Sequence, residues 1–312
     1  MAENLPASYS QLKLPDIRVS HVPESSPAPT PVILVHLDRP RQKNAFTPSM
    51  QESLIKLYTF LDVDPRVKAI VLTGSGSAFC AGMDLNIGFG AGGKANDQLS
   101  FGKTQRNIDH RDSGGQLALA IHNCSKPTVV AINGAAVGIG ITMCLPATIR
   151  IACSQAKVGF VFARRGLTME ACSAWFLPRL IGLSKAMHLV ATGSVYSASD
   201  PLLQGLFSEV LPTPEATLQR ALDIANDIAL NTSVVSTKLM RDMMCRAPES
   251  PEEMHLLDSR VINSRYGSHD NLEGVRSFFE KRPPAFADVM HDNKPDFHPW
   301  WKPVDVRGPS KL

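Results

Sequence analysis

The stretch Lys126–Arg150, KPTVVAINGAAVGIGITMCLPATIR, carries no charge between its ends. Its 23 uncharged residues are enough for a helix across a bilayer, and Gly134 and Gly138 have the spacing of a membrane-helix dimer motif. Such a helix would be broken at Asn133-Gly134, again at Gly138 and Gly140, and would stop at Leu145-Pro146. The run divides better into a buried strand (128–133), a glycine turn and a short buried helix. This reading expects no membrane span.

Outward from that stretch the pattern is α/β. PVILVHL (31–37) and VKAIVLTG (67–74) read as buried strands, as do ATIRIAC (147–153) and KVGFV (157–161). Thr47-Pro48 opens a helix with Leu54, Leu57, Tyr58 and Leu61 on one face, and a second helix is expected near 116–123. From Asn86 to about Gly115 the chain is Gly-rich and polar, a long excursion of the kind that serves as a functional loop. After Pro212 the periodicity is helical over 214–230, 233–244 and 251–266.

Composition narrows the class. At 312 residues, with 44% hydrophobic and 20% charged, the chain has material for a large core. A net charge of +3 with no dense Lys/Arg run argues against a nucleic-acid partner. Six cysteines without a CxxC pair or a Cys/His cluster point to reduced core thiols, with neither disulfides nor metal. The start, MAENLPASYS, lacks a secretory leader, so the sequons at Asn123 and Asn231 are read as chance.

Nucleotide and hydrolase motifs fail on inspection. GFGAGGK (88–94) has phosphate-loop spacing, but Ala95 stands where a Ser or Thr must hold magnesium. Gly138-Ile139-Gly140 does not continue as GxGxxG, and no GxSxG elbow is present. The anomaly is a carboxylate: between Asp112 and Asp200 the only acidic residue is Glu170, in RRGLTMEACSAW. It is either a solvated loop residue paired to an arginine or a desolvated base, whose raised pKa would suit abstraction of an α-proton. Two glycine turns, FCAGMD (79–84) and NGAAVGIG (133–140), each follow a strand. Unpaired N–H groups at such turns can receive a developing oxyanion, each at about 3 kcal/mol.

With GSGSAFCAGMDL, LDRPRQKNAF and LPRLIGLSKAMHLVATGSVYSASDPLLQGLFSEVLP in unbroken order, residues 30–245 resemble the enoyl-CoA hydratase/isomerase (crotonase) superfamily. The resemblance implies an α/β fold, a crotonase-like spiral of ββα repeats with a helical C-terminal trimerisation region. It divides the chain into a loosely ordered N-terminal arm (1–30), a spiral core with the CoA-thioester site (31–212), a helical oligomerisation region (213–282) and a Pro-rich tail (283–312). It implies that the backbone N–H groups of Met83 and Ile139 form the oxyanion hole. Arg41 falls where the family places a base near the CoA phosphates. Ala81, Asp84, Leu85, Gly138 and Phe162 are implied to line the substrate, with the segment from Asp84 to Gly115 at the acyl pocket.

The two glutamates of family hydratases correspond here to Thr142 and Phe162, and neither can act as a base. Glu170 instead falls at the position used by the peroxisomal Δ3,Δ2-enoyl-CoA isomerases, whose PEGCSS-like segment is similar to TMEACSA (168–174). That similarity implies Glu170 as general base and acid. The expected reaction moves a double bond from the 3,4 to the 2,3 position of an acyl-CoA, with no metal or redox cofactor and with CoA as part of the substrate. A hydratase of a specialised acyl-CoA pathway, using an acid among Asp97, Asp109 and Asp112, is the alternative. A CoA-ester binder without activity is another. Ser310-Lys311-Leu312 is a peroxisomal address, so the import receptor is an expected partner and the peroxisome the expected location. A homo-trimer or hexamer is expected.

Overall fold

The structure is a computed structural model, and it describes residues 5–86 and 107–307. In chain order the first half comprises β1 (Ile17–His21), β2 (Val32–Leu37), α1 (Pro48–Val63), β3 (Ala69–Gly74), β4 (Ala78–Cys80) and α2 (Ser113–Asn123). There follow β5 (Thr128–Ile132), β6 (Ala135–Val137), α3 (Ile139–Thr142), β7 (Ile149–Cys153) and β8 (Lys157–Gly159). Next come α4 (Ser173–Ile181), α5 (Leu183–Thr192), β9 (Val195–Ser197) and β10 (Glu209–Leu211). The remainder is helical: α6 (Pro214–Asn231), α7 (Val234–Cys245), α8 (Pro251–Asn263), α9 (His269–Glu280) and α10 (Met290–Asn293).

One sheet has the order β1-β2-β3-β5-β7-β10 and the other β4-β6-β8-β9. Successive turns of the chain therefore place one strand in each: β3 then β4, β5 then β6, β7 then β8. Within each sheet those strands run parallel. This is the ββα spiral, the crotonase fold. Parallel strands covered on both faces need apolar residues at every position. In β3, Ile70 and Leu72 face the main core while Ala69 and Val71 face a second cluster, and in β5 Val130 and Ile132 alternate likewise with Val129 and Ala131. The second face is closed by α6 through Ala221, Ala225 and Ala229, whose spacing of four puts small side chains in one row and lets the helix lie close.

Three helices start as their sequences dictate. Thr47, Thr213 and Ser250 each accept a backbone N–H through the side-chain oxygen, with proline at the next residue. The uncharged stretch folds as β5, β6 and α3, and no helix among the described residues is long and apolar enough to cross a membrane. All six cysteines are free thiols.

One region differs from expectation. The N-terminal arm contains β1, paired antiparallel with β2, and Tyr9 is buried with its hydroxyl on Asp64 Oδ2 at 2.8 Å. Five residues of strand were hidden by the Pro and Ser around them. The Pro-rich tail is held as well: Phe297 and Trp300 pack with Leu239, Val261 and Met290, and His298 Nε2 lies 2.9 Å from Asp242 Oδ2. The residues Ser310-Lys311-Leu312 lie outside the described residues, as does Asp97.

Candidate active site

Two consecutive strands of the smaller sheet build one wall. β4 and β6 pair in parallel, Ala78 opposite Ala135 and Cys80 opposite Ala136. Beyond β4 the chain turns at Gly82, with φ +102°, and a Cβ there would stand 3.1 Å from Val137 O. Beyond β6 it turns at Gly138, with φ +58°, into α3, whose Gly140 leaves only 2.2 Å between a would-be Cβ and Cys80 O. The two turns thus lie backbone against backbone: a Cβ has little room at Gly82 and Gly140, while at Gly138 it is the positive φ that favours glycine. Met83 follows the first turn and Ile139 opens α3, and neither N–H has a hydrogen-bond partner among the described residues. A first-turn N–H points out of its helix. Both groups are available to a ligand oxygen.

The facing wall is made of side chains. Glu170 precedes Ala171 (φ +56°) and Cys172 (φ +54°), two successive left-handed residues that are not glycine. Each conformation costs on the order of 1–2 kcal/mol, so something must hold the segment. Asp112 does: its Oδ2 accepts Ala171 N–H at 3.2 Å and, as the N-cap of α2, Gly115 N–H at 2.5 Å. Ser173 adds two bonds to Glu170 O, from its N–H at 3.0 Å and its hydroxyl at 2.5 Å. The Glu170 carboxylate receives the Thr142 hydroxyl on Oε1 at 2.5 Å. Burial pushes its pKa from 4.5 up to about 7, the Thr142 hydrogen bond opposes this, and the charge of Asp112 adds to it.

Gly114 joins the two walls. A Cβ on it would fall 1.5 Å from Glu170 Oε2 and 2.7 Å from Ile139 Cδ1. Any side chain at 114 would occupy the space the carboxylate uses. Glu170, Ile139, Thr142, Asp112 and Gly114 therefore form one cluster, drawn from α2, α3 and the segment before α4.

Other expected site residues fare differently. Asp84 is buried, and its carboxylate meets the Arg39 guanidinium at 2.8 Å and Asn86 N–H at 3.0 Å. Burial pushes that carboxyl up, but the Arg39 and Asn86 hydrogen bonds outweigh it and hold the pKa below its usual value. Asp84 thereby anchors the segment after Met83. Ala81 donates its N–H to Lys43 O at 3.0 Å, and Gly138 donates its own to Gly159 O at 2.9 Å, so neither offers a donor to a ligand. Arg41 is exposed in the 3-10 turn Pro40–Gln42, and the Leu85 side chain is exposed. Phe162 is half-buried in the 3-10 turn Val161–Arg165. Outside that expected set, Trp175 packs edge-on to Phe176 and His122, beneath the Arg179 guanidinium.

Of the acids weighed as a second group, Asp112 lies beside Glu170 and Asp109 sits in the 3-10 turn Asn107–Asp109. Sequence reasoning missed Gly114 and the bond from Thr142. The signal for Gly114 was present as paired glycines, where a helix start favours better formers. Among the described residues, His269, Asp270 and Asp288 are the one group with metal-ligand atoms close together, on elements that do not carry Glu170.

Comparison with known proteins gives the family. The profile of the family described as Enoyl-CoA hydratase/isomerase matches residues 28–289. Two Alternaria alternata proteins, enoyl-CoA hydratase AKT3-2 and enoyl-CoA hydratase ACTT3, are 48% and 47% identical over 285 residues, 91% of this chain and 91% of each of theirs. A crystal structure of a probable enoyl-CoA hydratase/isomerase from Mycobacterium abscessus superposes with a TM-score of 0.73 at 32% identity, covering 82% of this chain and 95% of that one. The chain belongs to the enoyl-CoA hydratase/isomerase family.

Proposed function

We propose that this family member moves the double bond of an enoyl-CoA from the 3,4 to the 2,3 position, with Glu170 as the one proton carrier. The observation that carries the reading is the composition of the Glu170 corner. Its carboxylate is desolvated to a pKa near neutrality and steadied by the neutral hydroxyl of Thr142. The neighbouring Asp112 has its Oδ2 engaged by two backbone N–H groups.

In this reading the thioester oxygen accepts the N–H groups of Met83 and Ile139. Ionised Glu170 takes a proton from C2, whose C–H bond is acidified by the thioester and the adjacent alkene. The electron pair shifts through the conjugated system onto the thioester oxygen, giving a dienolate that the two donors stabilise. Glu170 returns the proton at C4: the oxygen pair re-forms the thioester C=O, the C1–C2 π pair becomes the C2=C3 bond, and the C3–C4 π pair takes the proton. One base with a pKa near the working pH both takes and gives the proton efficiently. The reaction is redox-neutral, and the CoA is part of the substrate. Arg41, exposed in the turn Pro40–Gln42, is proposed to meet the CoA phosphates.

A second reading, addition of water across a 2-enoyl-CoA, is favoured by the hydratase names of the relatives that are nearly half identical, with Asp112 as a second acid beside Glu170. The experiment that separates the two is turnover of a 3-enoyl-CoA and of a 2-enoyl-CoA by wild type and Glu170→Gln, with products identified by NMR. Conversion of the 3-enoyl compound alone, lost in the variant, supports the isomerase. A 3-hydroxyacyl product from the 2-enoyl compound transfers the proposal to hydration. Binding without turnover of either leaves a CoA-ester binder.

Two further parts belong to the proposal. Ser310-Lys311-Leu312 supports peroxisomal import, checked by the location of a fluorescent fusion with and without those residues. Exposed Leu256, Ile262, Leu272, Phe278 and Phe279 on α8 and α9 support self-association into a trimer or hexamer, checked by light scattering.

A further inference from the structure

Thr142 is fully buried in α3, and its hydroxyl has one hydrogen and two acceptors in reach. Glu170 Oε1 lies at 2.5 Å and Gly138 O at 3.3 Å. Gly138 O belongs to the same peptide unit as the Ile139 N–H, the unpaired donor at the start of α3. The same carbonyl also accepts Ile141 N–H and Thr142 N–H, both at 3.0 Å. Every bond it accepts draws electron density from that peptide and makes Ile139 N–H a stronger donor.

We infer that Thr142 is a positioning residue that couples the base to the oxyanion hole, its one hydrogen resting on Glu170 while that carboxylate is charged and turning to Gly138 O once Glu170 holds the substrate's proton. This rests on the reading of Glu170 as the base. The physical reason is that a hydrogen bond to a charged acceptor is about twice as strong as one to a neutral acceptor. While Glu170 is ionised, Oε1 outcompetes the peptide carbonyl. When the C2–H bond breaks and its proton forms an O–H bond on Oε2, Oε1 becomes a neutral acceptor and loses that advantage. At the same step the negative charge has moved to the thioester oxygen, against Ile139 N–H. Turning the Thr142 hydrogen to Gly138 O then strengthens the donor where the charge has gone. Rotation about one C–O bond suffices, and no covalent bond of Thr142 changes. Gly114 completes the arrangement by leaving room for Oε2 while Thr142 pins Oε1.

The test compares wild type, Thr142→Val, which is isosteric without the hydroxyl, and Thr142→Ser, which restores it. In ligand-free protein the Glu170 carboxyl is titrated by infrared difference against Glu170→Gln. Its midpoint is expected to move up by about one pH unit or more in Thr142→Val and to return in Thr142→Ser. With a saturated acyl-CoA labelled with 13C at the thioester carbonyl, the stretch is expected to shift as Glu170 is protonated in wild type, and by less than about half as much in Thr142→Val. With substrate, kcat of Thr142→Val is expected to fall about tenfold or more while KM changes little, and Thr142→Ser stays near wild type. An unmoved midpoint, an equal carbonyl shift in Thr142→Val, or no rescue by serine overturns the coupling. Glu170→Gln with full turnover would sink the assignment of the base, and the titration and the carbonyl shift would still judge the link from Thr142 on their own.

Discussion

The two walls of the site are made by opposite means. The wall with Met83 and Ile139 is backbone, aimed by two glycine turns that pack against each other at the ends of paired strands. The wall with Glu170 is side chain, held by Asp112, Thr142 and the empty space at Gly114, on three segments far apart in the chain. Backbone donors are cheap to specify and hard to retune, since their direction follows from dihedral angles. A side-chain acid can be retuned by any neighbour, and the Glu170 carboxyl is shifted through burial, a hydroxyl and a nearby charge. The first wall is suited to one task, receiving negative charge. The second determines what chemistry follows.

Substitutions in and between the walls test this contrast. The largest effect is expected from Glu170→Gln, which removes the proton carrier and leaves the backbone wall untouched: kcat should fall about a thousandfold with acyl-CoA affinity retained, checked by kinetics and calorimetry. Next is Gly114→Ala. Its Cβ would displace Oε2, but alanine inside a helix is favoured over glycine by roughly 0.5–1 kcal/mol. The expectation is about a hundredfold loss of kcat with an unchanged or raised Tm. A fully active Gly114→Ala would break the account of the side-chain wall.

Gly138→Ala is the matching test of the backbone wall. A Cβ there meets open space, so any cost comes from φ +58° alone. Stability should drop by about 1–3 kcal/mol, and kcat/KM by about tenfold as Ile139 N–H is re-aimed. The smallest effects are in pH. With Glu170 raised to about 7, kcat/KM should rise with pH through about 7 as the base ionises, and this limb should disappear in Glu170→Gln. The sign for stability is the reverse. A pKa raised in the folded state contributes stability that is present below 4.5 and lost as pH rises through about 7. Wild type should therefore lose roughly 3 kcal/mol against Glu170→Gln between acid and mildly alkaline pH, measured by denaturant unfolding.

Much of the fold was legible because its signals are local. β2, β3, β5 and β7 stand out as mostly apolar runs, broken in β7 by Arg150, and Thr47-Pro48 announces α1 with a cap that the structure contains. Glu170 was conspicuous as the one acid in a long stretch. The strand in the N-terminal arm was not legible, since β1 takes its identity from pairing with β2 rather than from its own composition. β6 was read as part of a turn because Ala135-Ala136-Val137 has too little side chain to show a strand. The ion pair of Asp84 with Arg39, 45 positions away, was not legible either.

By itself, then, the amino-acid order determined the alternation of strands and helices, the two glycine turns and the one acid of the central stretch, Glu170. Each of these depends on neighbours within a few positions, where backbone geometry alone brings groups together. The tertiary structure decided the rest of the base's surroundings. Thr142 and Glu170 are 28 residues apart, and Asp112 and Ala171 are 59 apart. Contacts at such separations depend on how helices settle over the two sheets, and a shift of one helical residue turns its side chain by about 100°. No local pattern records that outcome.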